Sequence, residues 1–308
     1  MFRGRNFISM HDWEAEDLLA MLRVATQLKD EHRMDRPHPL LAGRTLGMIF
    51  QKNSTRTRVS FEVGMTQLGG QALFLSSQDL QLGRGETIAD TARVLGRYVD
   101  GIMARTYAHA DVEELARHSG VPVINGLTDL LHPCQAMADV MTIHEKKGRL
   151  AGIRLAYVGD SNNVTHSLLQ AGAQFGMHVR VASPAGYQPN PAILDQVRGL
   201  ARRSGADIRI GEDPAEAVRG ADVVYTDTWA SMGQEAERDT RLRVLRPYQV
   251  DARMMAQAAA DSVFMHCLPA HRGEEVTAEV MDGPHSVVVD QAENRLHVQK
   301  AILALLMR

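Results

Sequence analysis

The segment from residue 52 to 61 reads KNSTRTRVSF and combines hydroxyl side chains with closely spaced arginines. Hydroxyls such as those of Ser54 and Thr57 cap helices well, because they accept hydrogen bonds from the free N–H groups of a first turn. Arg56 and Arg58 then fall inside this turn, where the positive end of the helix dipole disfavours each by about 0.3 to 1 kcal/mol. A bound phosphate would reverse this penalty, because N–H groups, hydroxyls and guanidinium groups would converge on it. The alternative is a capped helix start whose arginines extend into water.

The chain has two cysteines, and each lies beside a histidine and a proline. Cys134 is part of LHPCQ (131–135), and Cys267 is part of HCLPAHRGEEV (266–276). Buried, unreactive thiols are the commonest outcome for free cysteine. A nucleophile of the Cys/His type is the alternative, and the sequence alone does not show the base geometry that it needs. Since there is no CxxC pattern, neither a disulfide framework nor a metal site is expected.

Two further polar segments follow apolar runs. Asp227 opens DTWASMGQE (227–235), which is either an ordinary loop or a carboxylate that accepts a substrate ammonium beneath a flexible turn. The segment YVGDSNNV (157–164) lacks the GxGxxG pattern, and its bulky side chains would obstruct a pyrophosphate, which argues against a nicotinamide cofactor. The absence of a GK[ST] pattern argues against a nucleoside triphosphate.

Short apolar runs alternate with helical patterns, which is typical of parallel α/β sheets. A helical stretch from about His132 to Lys147 separates the first four predicted strands from the later six. We therefore expect an α/β fold with two doubly wound parallel-sheet domains joined by long helices, and an active site in the cleft between them. The predicted domains are residues 1–148 and 149–291, with a final helix, about 292–308, packing back on the first. The predicted strands are Thr45–Phe50, Gln71–Leu75, Asp100–Arg105, Val121–Asn125, Ile153–Gly159, His178–Ala182, Ala206–Ile210, Asp222–Thr226, Ser262–Cys267 and Ser286–Asp290.

Ligands of such sheets bind beyond the carboxyl ends of the strands, where the loops collect. The polar segments described above come directly after predicted strands, as does RTYAH after Ala104. The strand positions therefore predict that these segments gather at the ligand-binding edge.

The composition is that of an ordinary globular protein, with 308 residues, 44% apolar and 23% charged. A formal net charge of -3 gives no general attraction to nucleic acid or to an anionic membrane. The apolar run Ala301–Met307 is too short to cross a bilayer, and the first residues lack a signal-peptide pattern. We expect a cytoplasmic protein.

Taken together, these segments resemble the aspartate/ornithine carbamoyltransferase family over nearly the whole chain. STRTR and HPxQ are shared with the aspartate-directed members, whereas HPCQ, DTWASMG and HCLPAHRGEEV occur together in the ornithine-directed branch. The resemblance implies transfer of the carbamoyl group of carbamoyl phosphate to the δ-amine of L-ornithine, giving L-citrulline and phosphate in arginine biosynthesis. It implies no metal and no cofactor.

The resemblance also implies a carbamoyl phosphate site. Arg105 matches an arginine that contacts phosphate and carbonyl oxygens, and His132 matches a donor to the carbonyl oxygen. Gln135 and the backbone carbonyl of Leu268 match partners of the carbamoyl nitrogen. The implied site residues are Ser54, Thr55, Arg56, Thr57, Gln81, Arg105, His132, Gln135, Cys267, Leu268 and Arg295, with Arg105, His132 and Cys267 as catalytic residues.

The implied ornithine site consists of Asn163, Asp227, Ser231 and Met232. Asp227 matches the acceptor of the α-ammonium, and Cys267 lies where the family has a thiol near the reacting amine. Gln81 matches a residue that the family contributes to a neighbouring subunit's site, which implies a homotrimer or a multiple of trimers. Two alternatives stay open: a carbamoyltransferase for aspartate, putrescine or an acylated ornithine, and a non-catalytic regulator that binds a phospholigand.

Overall fold

The computed structural model describes residues 2–77, 85–230 and 235–308. The chain divides into two compact units, and each is an α/β unit with a parallel sheet. Unit 1 comprises Met1–Ala138 and Asn294–Arg308, and unit 2 comprises Asp139–Glu293. The predicted fold class is therefore confirmed, whereas the domain limits at 148 and 291 stay a prediction.

The sheet of unit 1 has the strand order β2-β1-β3-β4. The side chains of β1, β3 and β4 are mostly buried, whereas those of the edge strand β2 are partly buried or exposed. The buried residues pack in one cluster with residues of helices α3 and α4. The elements of unit 1 are α1 (Ala15–Arg33), β1 (Thr45–Phe50), α2 (Thr55–Gln67), β2 (Gln71–Ser76), α3 (Ile88–Tyr98), β3 (Gly101–Arg105), α4 (His109–His118) and β4 (Val123–Leu127).

The sheet of unit 2 has the strand order β7-β6-β5-β8-β9. Asn162 caps α6, the first helix that lies wholly in unit 2, by accepting hydrogen bonds from two N–H groups of its first turn. Helices α5 (Pro133–Lys147) and α12 (Val288–Met307) each contribute residues to both units. The other elements of unit 2 are β5 (Arg154–Val158), α6 (Asn163–Phe175), β6 (His178–Ala182), α7 (Pro191–Ser204), β7 (Ile208–Gly211), α8 (Pro214–Val218), β8 (Val223–Tyr225), α9 (Arg238–Leu245), α10 (Ala252–Met255), β9 (Val263–Met265) and α11 (Ala278–Met281).

Both sheets reverse their strand order once, and this determines where a ligand can bind. In unit 1 the reversal lies between β1 and β3, and in unit 2 it lies between β5 and β8. Ligands of doubly wound sheets bind outside the carboxyl ends of the strands at such a reversal. The loops that follow these four strands are therefore the candidate ligand-binding loops of the two units.

Nine of the ten predicted strands are confirmed, and the strand predicted at Ser286–Asp290 is wrong. Ser286 forms only an isolated bridge with Phe264, and α12 begins two residues later at Val288. Three consecutive valines favour a strand by propensity, but propensity is a weak preference that tertiary packing overrides. Val288 is buried against the core of unit 2, and Asp290 lies in the first helical turn, where an acidic group is stabilising.

Among the described helices, none is both long enough and apolar enough to cross a membrane.

Candidate active site

The predicted anion-binding turn lies at the carboxyl end of β1, where the first turn of α2 begins. Ser54 is the N-cap of α2, and its Oγ accepts the Thr57 N–H at 3.2 Å. The Ser54 hydroxyl also donates to Oγ1 of Thr57 at 3.1 Å. These bonds fix the turn that contains Thr55 and Arg56, and they are the capping interactions that the sequence predicts.

The two arginines of this turn have different surroundings. The Arg58 Nε donates to Glu62 at 2.9 Å, and its guanidinium lies over the ring of Phe74. Arg58 is therefore balanced by a carboxylate and an aromatic ring on the protein surface. Arg56, in contrast, is close enough to His132 to affect its pKa. Of the two arginines, Arg56 is the one that lies half-buried beside His132.

Arg105 ends β3 and lies beside the turn because of the sheet register. Phe50 of β1 pairs with Arg105 of β3, and the Gln51 N–H donates to the Arg105 carbonyl at 2.9 Å. Arg295 comes from α12, and its Nη2 donates to Oγ1 of Thr57 at 3.0 Å. Thr57, Arg105 and Arg295 are all buried. A concentration of guanidinium groups inside the fold is unfavourable unless an anion compensates it, which is the chemistry of a phosphate site.

His132 precedes α5 and is buried among these arginines. Burial, together with the positive charges of Arg295, Arg105 and Arg56, holds the pKa of His132 well below its ordinary value of 6.5. The imidazole is therefore neutral at physiological pH, and a neutral ring can donate one hydrogen bond to a carbonyl oxygen. Gln135, in the first turn of α5, is buried as well.

Cys134 does not have the surroundings of a nucleophile. It is buried, its Sγ donates to the Asn125 carbonyl at 3.4 Å, and burial raises the pKa of the thiol to about 12. The reactive form of cysteine is the thiolate, which is negligible at neutral pH for such a group. Of the two interpretations that the sequence left open for Cys134, the structure favours the unreactive one.

A second group of polar side chains lies in unit 2, at the carboxyl ends of β5, β8 and β9. Asp227 is buried, and its Oδ2 accepts the side-chain amide of Asn162 at 2.6 Å. Its Oδ1 accepts the Cys267 thiol at 2.9 Å. We call these three residues the carboxylate cluster. An ionised carboxylate can accept up to about four hydrogen bonds, so Asp227 retains capacity for an ammonium group.

The sequence predicts Asn163 in the ornithine site, which stays a prediction, and the neighbouring Asn162 makes the observed contact with Asp227. Asn162 is the N-cap of α6, and Asn163 is the first helical residue. The sequence prediction did not include Asn162, which the capping preference of asparagine could have indicated. Three other predicted site residues, Gln81, Ser231 and Met232, lie outside the described residues.

Leu268 follows Cys267 and has an unusual backbone conformation. Its φ is 61°, a left-handed value that costs a non-glycine residue on the order of 1 to 2 kcal/mol. Its N–H donates to Nδ1 of His266 at 2.9 Å, and Nε2 of His266 lies 3.2 Å from Oε1 of Glu275. The backbone at Leu268 is thus maintained by side chains on both sides of it.

The comparisons with known proteins agree across both units. The family model for the carbamoyl-P binding domain of aspartate/ornithine carbamoyltransferase matches residues 5–145, and the model for its Asp/Orn binding domain matches residues 151–306. The chain belongs to the aspartate/ornithine carbamoyltransferase family.

Individual members of the family are similar over their full length. The anabolic ornithine carbamoyltransferase of Pyrococcus furiosus is 58% identical over 304 residues, which cover 99% of this chain and 96% of that protein. A solved structure of the Pyrococcus furiosus enzyme has a TM-score of 0.97, with 99% of this chain and 97% of that chain covered. The anabolic enzyme of Campylobacter jejuni is 44% identical with a TM-score of 0.92, and 97% of each chain is covered.

One group of side chains in this carbamoyltransferase could be mistaken for a metal site. Ligand atoms of Asp227, His266 and Cys267 lie within 4.8 Å of one another. Both ring nitrogens of His266 are already used, however, one by the Leu268 N–H and the other by Glu275. Because His266 cannot offer a lone pair without breaking one of these bonds, the group does not fit a metal.

Sequence reasoning missed an ion pair beside the carboxylate cluster. Asp160 follows β5, and its Oδ2 accepts Nη1 of Arg241 at 2.8 Å. Burial raises the pKa of Asp160 to about 6, although the charge of Arg241 opposes this shift. Arg241 also donates to the Trp229 carbonyl at 3.4 Å and so holds the chain before the predicted residues Ser231 and Met232. Since Arg241 and Asp160 are 81 positions apart, no local pattern predicts the pair.

Proposed function

We propose that this chain transfers the carbamoyl group of carbamoyl phosphate to the δ-amine of L-ornithine, giving L-citrulline and phosphate. The observation that carries this function is the identity of 57–58% over 99% of the chain to ornithine carbamoyltransferases. Two relatives, those of Pyrococcus furiosus and Campylobacter jejuni, are anabolic ornithine carbamoyltransferases, which supports a place in arginine biosynthesis. The cytoplasmic location and the homotrimer stay predictions.

In unit 1, we propose that the turn at Ser54, Thr55, Arg56 and Thr57 holds the phosphate of carbamoyl phosphate. The buried guanidinium groups of Arg105 and Arg295 support this role, since each supplies a planar fork that matches phosphate oxygens. The remaining proposed contacts are those of Gln135 and the Leu268 carbonyl with the carbamoyl nitrogen, and that of Gln81 with the site of a neighbouring subunit.

In unit 2, we propose that Asp227 accepts the α-ammonium of ornithine. Its burial and its two observed hydrogen bonds support this role, because a positioned carboxylate in a dry environment binds a cation strongly. Asn163, Ser231 and Met232 complete the proposed site on the strength of the family resemblance.

The proposed reaction is a direct transfer. The neutral δ-amine attacks the carbamoyl carbon, a C–N bond forms, the C–O bond to phosphate breaks, and the leaving phosphate accepts the amine proton. Negative charge develops on the carbonyl oxygen, so the donors Arg105 and neutral His132 stabilise the transition state. Holding both substrates together supplies much of the remaining acceleration. The Cys267 thiol donates to Asp227, which supports a polar contact near the amine rather than a nucleophile.

A product assay tests the function. The protein is incubated with carbamoyl phosphate and, separately, L-ornithine, putrescine, N-acetylornithine or L-aspartate, and the carbamoylated product is identified. We expect citrulline from ornithine, with a kcat/KM well above that for the other amines. A preference for another amine would identify a different carbamoyltransferase, and binding without phosphate release would identify a regulator.

Two arginines of the same turn provide a matched pair of variants. Arg56→Ala should raise the KM for carbamoyl phosphate about 10- to 150-fold, the equivalent of one hydrogen bond to a charged group, about 1.5 to 3 kcal/mol. Arg58→Ala should change it little, because that arginine is paired with Glu62 on the surface. Asp227→Ala should raise mainly the KM for ornithine. Equal effects of Arg56→Ala and Arg58→Ala would contradict the proposed phosphate site.

A further inference from the structure

His266 and Glu275 form a fully buried couple, and His266 directly precedes Cys267 and Leu268, which belong to the proposed substrate site. Both side chains have an exposed fraction of 0%. The backbone of His266 is fixed too, because its N–H donates to Oε1 of Gln291 at 3.0 Å, and Nε2 of Gln291 donates to Asp139 at 2.7 Å. Buried polar groups are destabilising unless they are hydrogen-bonded, so the hydrogen bonds of this couple indicate what it holds in place.

The hydrogen bonds determine the tautomer of His266. The Leu268 N–H points at Nδ1, at 2.9 Å, so Nδ1 must be an acceptor and carries no proton. The ring proton is therefore on Nε2, from which it is donated to Oε1 of Glu275 at 3.2 Å. Oε1 of Glu275 also accepts the His271 N–H at 2.5 Å. Burial raises the pKa of Glu275, but the hydrogen bonds from His266 and His271 outweigh it, and the pKa is lowered.

The couple thus anchors the backbone on both sides of one carbonyl group. The Leu268 N–H is bonded to His266, and three residues later the His271 N–H is bonded to Glu275. Between them, Pro269 has no N–H and a restricted φ. Leu268 itself has a φ of 61°, which is unfavourable for leucine and persists only where its surroundings enforce it. The direction of the Leu268 carbonyl is consequently set by the two buried side chains.

We propose that His266 and Glu275 are positioning residues which hold the Leu268 carbonyl toward the carbamoyl nitrogen of the substrate. This role rests on the proposed function, in which that carbonyl accepts a hydrogen bond from the carbamoyl N–H. His266 acts through its Nδ1 acceptor and takes no part in proton transfer. Glu275 acts by fixing the ring and the far end of the loop.

Two substitutions of His266 separate this role from its alternatives. Asparagine places an amide oxygen near the position of Nδ1, so His266→Asn retains the acceptor for the Leu268 N–H but loses the donor to Glu275. Glutamine places its amide nitrogen near the position of Nε2, so His266→Gln retains the donor and loses the acceptor. Positioning through Leu268 predicts that the asparagine variant is the better enzyme, whereas proton transfer along Nε2 to Glu275 predicts the opposite order.

We expect His266→Gln to lower kcat by about 10- to 100-fold, the usual cost of a displacement near 1 Å in a catalytic site, with the KM for ornithine nearly unchanged. His266→Asn should remain within about 5-fold of the unmodified protein. His271→Gln is the matched control, because the substitution keeps the backbone N–H that donates to Glu275, and the half-exposed His271 ring lies 3.7 Å from Oε2 of Glu275, beyond hydrogen-bond distance. Glu275→Gln should retain most activity, since its amide oxygen can still accept both bonds, whereas Glu275→Ala should not.

Two measurements without substrate test the same geometry and detect variants that fail to fold. The 15N NMR shifts of the His266 ring should show the Nε2–H tautomer, and the Leu268 amide should exchange slowly in the unmodified protein and in His266→Asn but rapidly in His266→Gln. A protonated Nδ1, or equal Leu268 exchange in both variants, would overturn the proposed positioning. Failure of the unmodified protein to form citrulline would instead refute the proposed function, and the NMR and exchange results would still decide the geometry.

Discussion

The hydrogen bond between Thr57 and Arg295 provides a test of how the buried polar side chains of Thr57, Arg105, His132 and Arg295 in unit 1 are held together. Thr57→Val preserves the shape of the side chain and removes its oxygen. That oxygen accepts from Nη2 of Arg295 at 3.0 Å, and Thr57 has an exposed fraction of 0%. The variant therefore leaves a buried guanidinium group one acceptor short.

A hydrogen bond to a charged group contributes about 1.5 to 3 kcal/mol, and its loss in a buried place is not recovered from water. Thr57→Val should lower the free energy of unfolding by this amount in urea titrations. If displacement of Arg295 weakens the binding of carbamoyl phosphate by the same free energy, the KM for carbamoyl phosphate rises about 10- to 150-fold. The KM for ornithine should stay within a factor of about 3, because Asp227 and its hydrogen-bond partners belong to unit 2.

Thr66→Val is the matched control, because it makes the same chemical change on the same helix. The Thr66 hydroxyl donates to the Glu62 carbonyl at 3.0 Å at an exposed position, so its loss should change stability by less than about 0.5 kcal/mol. If Thr57→Val and Thr66→Val have the same stability and the same KM for carbamoyl phosphate, the contact with Arg295 does not organise the site.

Three further predictions concern titratable groups. The kcat/KM for ornithine should rise about tenfold per pH unit between pH 6 and 8, because a lysine-like amine with a pKa of about 10.4 is mostly protonated there. The pKa of His132 is held well below 6.5, so an inflection from this histidine in the pH profile would contradict its assignment as a neutral donor. Burial lowers the pKa of Lys300 to about 8 from 10.5 in the unfolded chain, so the unfolded state binds more protons between these values and stability should rise with pH in that window. Urea titrations from pH 8 to 10.5 should show that Lys300→Met loses this dependence. Cys134→Ala should retain activity, because a thiol with a pKa of about 12 is not a nucleophile, and mass spectrometry during turnover should find no carbamoyl group on Cys134 in the unmodified protein.

Much of the fold could be predicted from local sequence. Runs such as TLGMIF and HVRVA form β1 and β6 at the predicted residues, because a short apolar run between polar segments is the typical sequence of a buried parallel strand. The run SVVVD has the same local character and became the start of a helix. In that helix Val288 is buried against the core of unit 2 and Val289 is exposed, and which of the valines is buried depends on the whole fold rather than on five residues.

The candidate site was predictable only as a set of loops. Each polar segment follows a strand, which the sequence shows, but the strand order that selects among the loops depends on pairing between distant residues. Phe50 pairs with Arg105, 55 positions away, and Thr57 contacts Arg295, 238 positions away. At a smaller scale the sequence prediction did not include Asn162, because a cap residue and the first helical residue differ only in which side chain turns back to the helix end.

The position of Arg105 shows why the direction of a site residue is not predicted by its local sequence. Ala104 of β3 pairs with Asn125 of β4, yet the next residue, Arg105, pairs with Leu127, so β4 contains one extra residue at this point. That residue is Gly126, and a Cβ there would lie 2.5 Å from Sδ of Met103. Bulges of this kind redirect the neighbouring side chain. The direction of Arg105 at the end of β3 therefore depends on a glycine in another strand, which no motif around Arg105 contains.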